Sequence, residues 1–324
     1  MTTPVFIIGV APRSGTNHLE DLLCVHPDCG LGIPLRENHL LGALPDLAAI
    51  VEELRATWRR HDRWGFLPEH SDDLARSLGS VLADFTVSQV DSRRRIEVPP
   101  ATLPGIEDSF KKSPRYLISK YPHTTGLADF RMFFPDAKLI LLMRDGRAVV
   151  ESSIRSWGGT FAVAVDSWRR GARNMARFLD DHPDDPALFI RYEDLITRPE
   201  DELGRVFRYL DLDPEMFDFE RALDRPIRGS STIRPNGSGE KVSWQPVEKT
   251  DDFDPLGRAR QWTDVQHARF NHMAGGLSER FGYPLQDVEE SALGTIRNAV
   301  SDSLLTARTV ARPLRRRMAR SRRG

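Results

Sequence analysis

A short loop near the start of the chain has the residue types that bind a phosphate-like anion. The apolar residues 5–10 predict a buried strand, and Pro12-Arg13-Ser14-Gly15-Thr16 leads from it into a helical pattern. Backbone N–H groups at a helix start, together with the charge of Arg13, suit an anion. An ordinary strand-to-helix turn with Ser14 as N-cap is the alternative.

The same loop is a poor match to the P-loop of ATP-binding proteins. Counted from Gly9, Ser14 stands where that motif needs its second glycine, and Gly15 stands where it needs lysine. Thr16 is in place, but the positive charge comes earlier, from Arg13. We therefore predict a site for a phosphate-like group other than ATP.

A second group of polar residues follows the strongest strand pattern in the chain. Residues 138–143 are apolar throughout, which is typical of a parallel strand covered on both faces. Arg144 ends this strand, and Ser152 lies eight residues later, about two turns along the next helix. Alone, the pattern would also fit an arginine paired with Asp145 and a serine on a helix face.

Strand patterns alternate with helical patterns, which predicts a doubly wound parallel sheet. Lys120 ends the strand predicted at residues 116–120, and Tyr192 ends the one at 187–192. Ligands of such sheets bind beyond the carboxyl ends of the strands. Arg13, Lys120, Arg144 and Tyr192 should therefore meet in one crevice.

The two motifs together resemble those of a known enzyme family. Pro12-Arg13-Ser14-Gly15-Thr16, followed by Arg144-Asp145-Gly146-Arg147 and Ser152, is similar to the sulfotransferases that use 3′-phosphoadenosine 5′-phosphosulfate (PAPS). The arginine in the first loop resembles the tyrosylprotein and carbohydrate types. The resemblance covers about residues 5–210, and it implies an α/β fold with a P-loop-like central parallel sheet flanked by helices.

The resemblance also implies which residues bind the donor. The first loop would hold the 5′-phosphosulfate, Arg144 and Ser152 the 3′-phosphate, and the Tyr192 ring would lie near the nucleotide. A glycine-rich segment would close over the donor with Ser231 and Arg234. The donor-binding residues are thus predicted to be Arg13, Ser14, Gly15, Thr16, Asn17, Arg144, Ser152, Tyr192, Ser231 and Arg234.

Catalysis requires charge stabilisation and a base. Negative charge develops on the bridging oxygen as the S–O bond breaks, and by resemblance Arg13 and Lys120 would stabilise it. The acceptor hydroxyl must lose a proton to a base. The resemblance implies two candidate bases, Glu37 and His123, and by the same resemblance the arginine in the first loop favours Glu37, although Glu37 comes later than the family pattern places it.

The length suits one large α/β domain or two small ones, and we assign residues 1–285 to a single domain with a helical insertion at about 43–114. Aromatic residues of the insertion are expected to form a cap, with some facing the acceptor: Trp58, Trp64, Phe66 and Phe85.

Residues 286–324 are predicted to form an amphipathic helix and a basic tail. Eight arginines after Leu305, in a chain of net charge −1, leave about −9 on the rest. A solvated tail or docking on an anionic membrane surface would fit, and no nucleic-acid partner is expected.

The sequence has no apolar run of about 18 residues and no secretory signal pattern at its start. We therefore expect a cytoplasmic protein, or one peripheral at the inner membrane face. Cys24 and Cys29 are expected to be reduced, and no metal is expected.

These observations predict transfer of a sulfuryl group from PAPS to a hydroxyl of a carbohydrate, glycolipid or small metabolite, with protein tyrosine less favoured. A P-loop kinase or nucleotidase is one rival, and a non-catalytic nucleotide- or membrane-binding protein is another. The oligomeric state is not predicted.

Overall fold

Five parallel strands form the centre of the protein. The computed structural model describes residues 2–32, 37–62, 67–93, 114–229, 246–250 and 253–288. The strands lie side by side in the order β2-β3-β1-β4-β5, every pair parallel. Their bounds are β1 Thr3–Gly9, β2 Cys29–Leu31, β3 Tyr116–Tyr121, β4 Lys138–Met143 and β5 Leu188–Arg191. The predicted α/β fold with a central parallel sheet is confirmed.

Helices cover both faces of this sheet. The α-helices are α1 Thr16–Leu23, α2 Leu44–His61, α3 Leu67–Arg93, α4 Phe130–Phe133, α5 Gly146–Trp157, α6 Phe161–Asp181, α7 Tyr192–Thr197, α8 Pro199–Leu210, α9 Phe219–Leu223 and α10 Asp264–Arg280, and two 3-10 helices span His39–Ala43 and Pro214–Met216. None of the helices in the described ranges is long and apolar enough to cross a membrane.

Alternation along β1 and β4 explains why both faces are covered. On β1, Phe6 and Ile8 belong to one hydrophobic core, whereas Val5 and Ile7 belong to the other. Successive side chains of a strand point to opposite faces, so a strand apolar at every position needs a packed layer on each side. The first core also contains α2 and α6 residues, and the second contains α1 and α8 residues.

The predicted insertion contains α2 and α3, which pack on each other. Val51 of α2 and Ala75 of α3 are buried in the same core as Phe6 of β1. Trp58 is partly buried and Phe85 is half exposed. Trp64, Phe66 and residues 94–113 of the predicted insertion lie outside the described residues.

Strand order fixes the place of the site. β1 lies between β3 and β4, with Ile7 paired to Lys120 and Gly9 paired to Leu142. The loop after β1 is therefore next to the carboxyl ends of both neighbours. Ser231, Arg234 and the basic tail lie outside the described residues.

Candidate active site

A cavity of about 400 Å³ lies at the carboxyl ends of the strands. The loops after β1, β3, β4 and β5 all contribute to its wall, as the sequence predicted. Its polar and aromatic lining includes Arg13, Thr16, Asn17, Glu37, Lys120, Arg144, Ser152, Tyr192 and Arg258.

The loop before α1 has an unusual backbone. Gly15 has φ of +97°, and a Cβ there would lie 2.3 Å from the Tyr192 ring, so only glycine fits. Arg13 also has a positive φ of 77°, a conformation that costs energy for a residue with a side chain. No side chain caps α1, and Gly15, Thr16 and Asn17 line the cavity. The N–H groups of its first turn are therefore available to an anion.

Arg13 and Arg144 are hydrogen-bonded to each other at one end of the cavity, which we call the donor end. Arg144 Nη1 donates to the Arg13 carbonyl at 2.8 Å, and Arg144 Nη2 donates to the Pro255 carbonyl at 2.6 Å. Arg13 Nε donates to Ser152 Oγ at 3.0 Å. The Arg144 guanidinium lies over the Tyr192 ring, 4.1 Å from its centroid. The first loop, the second motif and Tyr192 thus form one cluster, in which Arg13 points toward Ser152.

Positive charge is concentrated in this cluster. Burial, with Arg144 and Arg258 nearby, lowers the pKa of Arg13 to about 10. Burial and Arg144 also lower the pKa of Arg258. Within the described ranges, neither Arg13 nor Arg144 forms an ion pair with a carboxylate. Gathering buried cations without carboxylates is unfavourable unless an anion binds among them.

These residues fit a doubly phosphorylated nucleotide. Arg144 Nε is buried and has no hydrogen-bond partner among the described residues. Arg13, Arg144, Ser152 and the start of α1 present N–H and O–H donors around the cavity. They would hold the phosphate groups of PAPS by charge-assisted hydrogen bonds.

Lys120 and Glu37 lie at the other end of the cavity, which we call the acceptor end. Lys120 Nζ is 3.6 Å from Glu37 Oε1, and the lysine side chain is only 4 % exposed. Burial lowers the pKa of Lys120, whereas Glu20 and Glu37 raise it. The pair places a cation and a carboxylate side by side on the cavity wall.

Asn38 fixes Glu37 beside Lys120, a role that sequence reasoning missed. Its backbone N–H donates to the Lys120 carbonyl at 2.8 Å, and its side-chain amide donates to Ser119 Oγ at 2.8 Å. Its side-chain oxygen accepts from the Leu40 N–H at 3.2 Å. Asparagine satisfies these bonds because it carries both donor and acceptor groups. The loop after β2 is thereby tied to β3.

Two predicted site residues do not line the cavity. The Ser14 side chain is fully buried against Gly9, and its hydroxyl has no partner in the described part of the chain. His123 packs against Tyr121, with ring centroids 5.2 Å apart, and burial lowers its pKa. Of the two candidate bases, Glu37 is the one on the cavity wall.

Supporting residues extend beyond the predicted set. Glu193 accepts from the Asp145 N–H at 2.9 Å and from the Tyr283 hydroxyl at 2.6 Å, and Trp168 donates to the Arg144 carbonyl at 3.0 Å. Arg258 was missed because no strand or helix pattern precedes it. Its only sequence signal is the turn-forming Asp254-Pro255-Leu256-Gly257 before it.

Comparisons with known proteins identify sulfotransferases as relatives of this chain. The model of the sulfotransferase family matches residues 4–216. Protein-tyrosine sulfotransferase A of Caenorhabditis elegans is 24% identical over 72% of this chain and 57% of its own. The zebrafish (Danio rerio) protein-tyrosine sulfotransferase 1 is 27% identical over 64% of this chain and 53% of its own. The chain thus spans about half the length of these relatives.

Among solved structures, the sulfotransferase domain of the Synechococcus PCC 7002 olefin synthase is similar. It is 24% identical, with a TM-score of 0.49, over 88% of this chain and 96% of that domain. The family model itself covers well over half of the chain, including the β1 loop, Lys120 and the Arg144 motif. This chain belongs to the sulfotransferase family, whose members use PAPS as the donor.

Proposed function

We propose that this protein transfers a sulfuryl group from PAPS to an acceptor hydroxyl. One observation carries the proposal: at one end of a single cavity lie Arg13 and Arg144, which pair with no carboxylate among the described residues, and at the other lies the Lys120–Glu37 pair, 3.6 Å apart. The first end suits a phosphorylated donor. The second suits proton removal beside a breaking S–O bond.

On the donor side, Arg144, Arg13 and Ser152 would bind the 3′-phosphate, because the three side chains and backbone groups form one bonded cluster. The 5′-phosphosulfate would lie against the N-terminus of α1. Its helix dipole and N–H groups favour negative charge there. Arg13 would then serve both ends of the donor.

The transfer is an in-line displacement. The acceptor oxygen gives its proton to Glu37 and attacks sulfur, forming a new O–S bond. The bond from sulfur to the bridging oxygen breaks, and its electron pair stays on the 5′-phosphate of 3′-phosphoadenosine 5′-phosphate (PAP). Lys120 stabilises the charge on that oxygen, so positioning and electrostatics supply most of the catalysis.

For the acceptor, we propose the phenol of a protein or peptide tyrosine. The relatives are named protein-tyrosine sulfotransferases, and their names give no support to the carbohydrate or glycolipid acceptors expected from the sequence.

The rival activity of a kinase or nucleotidase has less support. The β1 loop has no lysine, and Asp145 is held by Arg147, with Arg147 Nη2 and Asp145 Oδ2 2.7 Å apart. Its carboxylate is therefore already neutralised and ill suited to hold magnesium. The cytoplasmic or peripheral location and the division of the chain at residue 285 remain predictions.

Sulfuryl transfer can be tested directly. The protein is incubated with ³⁵S-labelled PAPS and an acidic tyrosine peptide, and labelled peptide is separated and counted. We expect label on the peptide. A matched peptide with phenylalanine in place of tyrosine should remain unlabelled.

Two further arms separate the alternatives. A mixture of oligosaccharides and a mixture of simple phenols replace the peptide, and ATP with magnesium replaces PAPS. Label on sugar alone would contradict the tyrosine proposal but not sulfuryl transfer. Phosphate transfer or ATP hydrolysis without any sulfuryl transfer would contradict the proposed function.

A further inference from the structure

The guanidinium of Arg13 is held by partners from distant parts of the chain. Its Nε donates to Ser152 Oγ of α5 at 3.0 Å, and its Nη2 donates to the Gly229 carbonyl at 2.5 Å. The guanidinium also lies over the Trp157 ring, 5.8 Å from its centroid. These contacts hold a long and flexible side chain in one direction.

The Gly229 carbonyl belongs to a short segment, residues 225–229, that follows α9 and contributes to the cavity wall. Ile227, Arg228 and Gly229 all line the cavity. An antiparallel bridge joins Ile227 to Val247, with N–H to carbonyl distances of 2.9 and 3.0 Å. The bridge attaches one side of the segment to the neighbouring chain.

A second attachment is the ion pair between Arg228 and Asp21 of α1. Arg228 Nε donates to Asp21 Oδ2 at 3.0 Å, and Arg228 Nη2 donates to Asp21 Oδ1. The Asp21 side chain is 7 % exposed and the Arg228 side chain 20 %. Two bonds between a guanidinium and a carboxylate fix orientation as well as distance. The pair therefore restrains the backbone next to Gly229.

These contacts close a ring at the donor end. The donor loop leads from Arg13 into α1, and α1 carries Asp21. Asp21 bonds to Arg228, and the carbonyl of the next residue accepts from Arg13. The start of α1 and the Arg13 guanidinium, which are two parts of the proposed donor site, are thus fixed relative to each other.

We propose that the Asp21–Arg228 ion pair is a positioning device, which directs the Arg13 guanidinium at the phosphate groups of the donor. It does so through the Gly229 carbonyl. The proposal rests on the proposed function, in which Arg13 binds the donor. Arg228 itself is already paired with a carboxylate, and Glu20 Oε2 is also 3.8 Å from its Nη2.

The expected gain is that Arg13 is ordered in advance. A buried ion pair adds little net stability compared with apolar residues, so what it contributes here is geometry. An arginine that is ordered only as the nucleotide binds loses its rotamer freedom at that step, which weakens binding. Removing the pair should therefore weaken donor binding as long as the Arg13 side chain is present.

Calorimetry with PAP tests the proposal in a double variant, Asp21→Asn with Arg228→Gln, which removes both charges of the pair together. We expect the affinity to fall by about tenfold, because Arg13 must then be ordered during binding. Arg131→Gln with Asp185→Asn is the matched control, since these residues form a buried two-bond pair, at 2.5 and 2.7 Å, away from the cavity wall. The control should leave the affinity for PAP unchanged.

The same double variant in an Arg13→Ala background shows whether the pair acts through Arg13. There, removing the pair should weaken PAP binding by less than about twofold, because the two changes share one route. A tenfold loss in both backgrounds would overturn the proposal, since the pair would then act on the nucleotide in another way.

A second measurement needs neither nucleotide nor acceptor. The sequence has six tryptophans, so protein labelled with 5-fluorotryptophan gives few ¹⁹F NMR signals, and Trp157→Phe identifies the one from Trp157. Since the Arg13 guanidinium lies over this ring, the signal should move in the double variant toward its position in Arg13→Ala. It should stay in place in the control. An unmoved Trp157 signal in the folded double variant would overturn the proposal.

Arg228→Lys is the second variant, for use if the double variant does not fold. Lysine keeps the charge beside Asp21 but loses the two-bond geometry. It should move the Trp157 signal and weaken PAP binding in the same direction, and no change in either would also contradict the proposal. If PAP does not bind the parent protein, the proposed function fails, whereas the ¹⁹F signal still decides whether the pair positions Arg13.

Discussion

The two ends of the cavity treat buried positive charge in opposite ways. At the donor end, Arg13 and Arg144 bond to Ser152 and to backbone carbonyls. At the acceptor end, Lys120 lies 3.6 Å from the Glu37 carboxylate, and the buried Glu20 and Asp21 of α1 also raise its pKa. The donor end is built to receive its negative charge from a ligand, whereas the acceptor end already contains it.

This difference explains how one cavity can both bind the phosphorylated donor and support the transfer reaction. Cations without carboxylates bind phosphate strongly, because no internal ion pair must be broken first. A lysine among carboxylates stays charged and fixed beside a base. The predictions below change one end at a time.

The largest expected effect is on turnover at the acceptor end. Glu37→Gln should lower kcat by a factor of about 10²–10⁴, because the amide cannot accept the acceptor's proton. The affinity for PAP, measured by calorimetry, should stay within a few-fold.

His123→Ala is the matched comparison. It removes the other candidate base, which packs on Tyr121 off the cavity wall. We expect a much smaller loss of kcat. A larger loss in His123→Ala than in Glu37→Gln would reverse the assignment of the base.

Next in size is the loss of a donor-end arginine. Arg144→Ala removes two hydrogen bonds and the stack on Tyr192, and should weaken PAP binding by about 3 kcal/mol, on the order of 100-fold. Arg147→Ala, whose guanidinium bonds Asp145, should change PAP affinity little. Equal losses in the two variants, measured by calorimetry, would contradict a specific role of Arg144.

A smaller effect concerns acid stability at the donor end. Burial, then Lys249 and Arg144, lower the pKa of His18 from 6.5 to about 4. Between these values the unfolded chain binds the proton first. This contribution to stability is therefore complete above pH 6.5 and is lost as the pH falls toward 4.

We expect a loss of about 2 kcal/mol over this interval, since His18 is only partly buried against the cavity. His18→Gln should lose less, and the exposed His39→Gln should behave as the parent. Denaturant unfolding at a series of pH values measures this. PAP should reduce the effect, because its negative charge offsets Lys249 and Arg144.

The smallest expected difference, that between two glycine variants, separates backbone strain from contact. Gly15→Ala must hold φ near +97° and displace the Tyr192 ring, whereas Gly159→Ala has a φ of +98° with no atom of the described residues within 4 Å of its Cβ. Both should lose about 1–2 kcal/mol from the backbone conformation.

Only Gly15→Ala should lose more stability than that and also weaken PAP binding, because Tyr192 supports Arg144. Thermal denaturation with and without PAP gives both readings. Identical behaviour of the two alanine variants would show that the contact with Tyr192 is unimportant.

The sequence predicted the donor end well, because its parts are local. Apolar runs identify β1 and β4, and Arg13 and Arg144 follow them directly. β2 was missed because three residues carry no periodic pattern, and α10 was missed because its buried residues are interrupted by small and polar ones.

The acceptor end depends on contacts between distant segments, which spacing does not reveal. Asn38 reaches Ser119 across 81 positions, and Arg228 reaches Asp21 across 207. The motif likewise did not predict that Arg13 bonds to Ser152. It assigned Arg13 only to the 5′-phosphosulfate of the donor. Such pairings follow from the order of the strands in the sheet. The sequence predicts the class of fold but not that order.

The central claim is that Arg13 and Arg144, which pair with no carboxylate in the described part of the chain, form a site for a nucleotide with phosphate at both the 3′ and 5′ positions. Calorimetry with PAP and with ADP tests it, because both carry two phosphates in different places. We predict that PAP binds at least 100-fold more tightly than ADP and that Arg144→Ala abolishes most of this difference. Equal affinities for the two nucleotides would contradict the account.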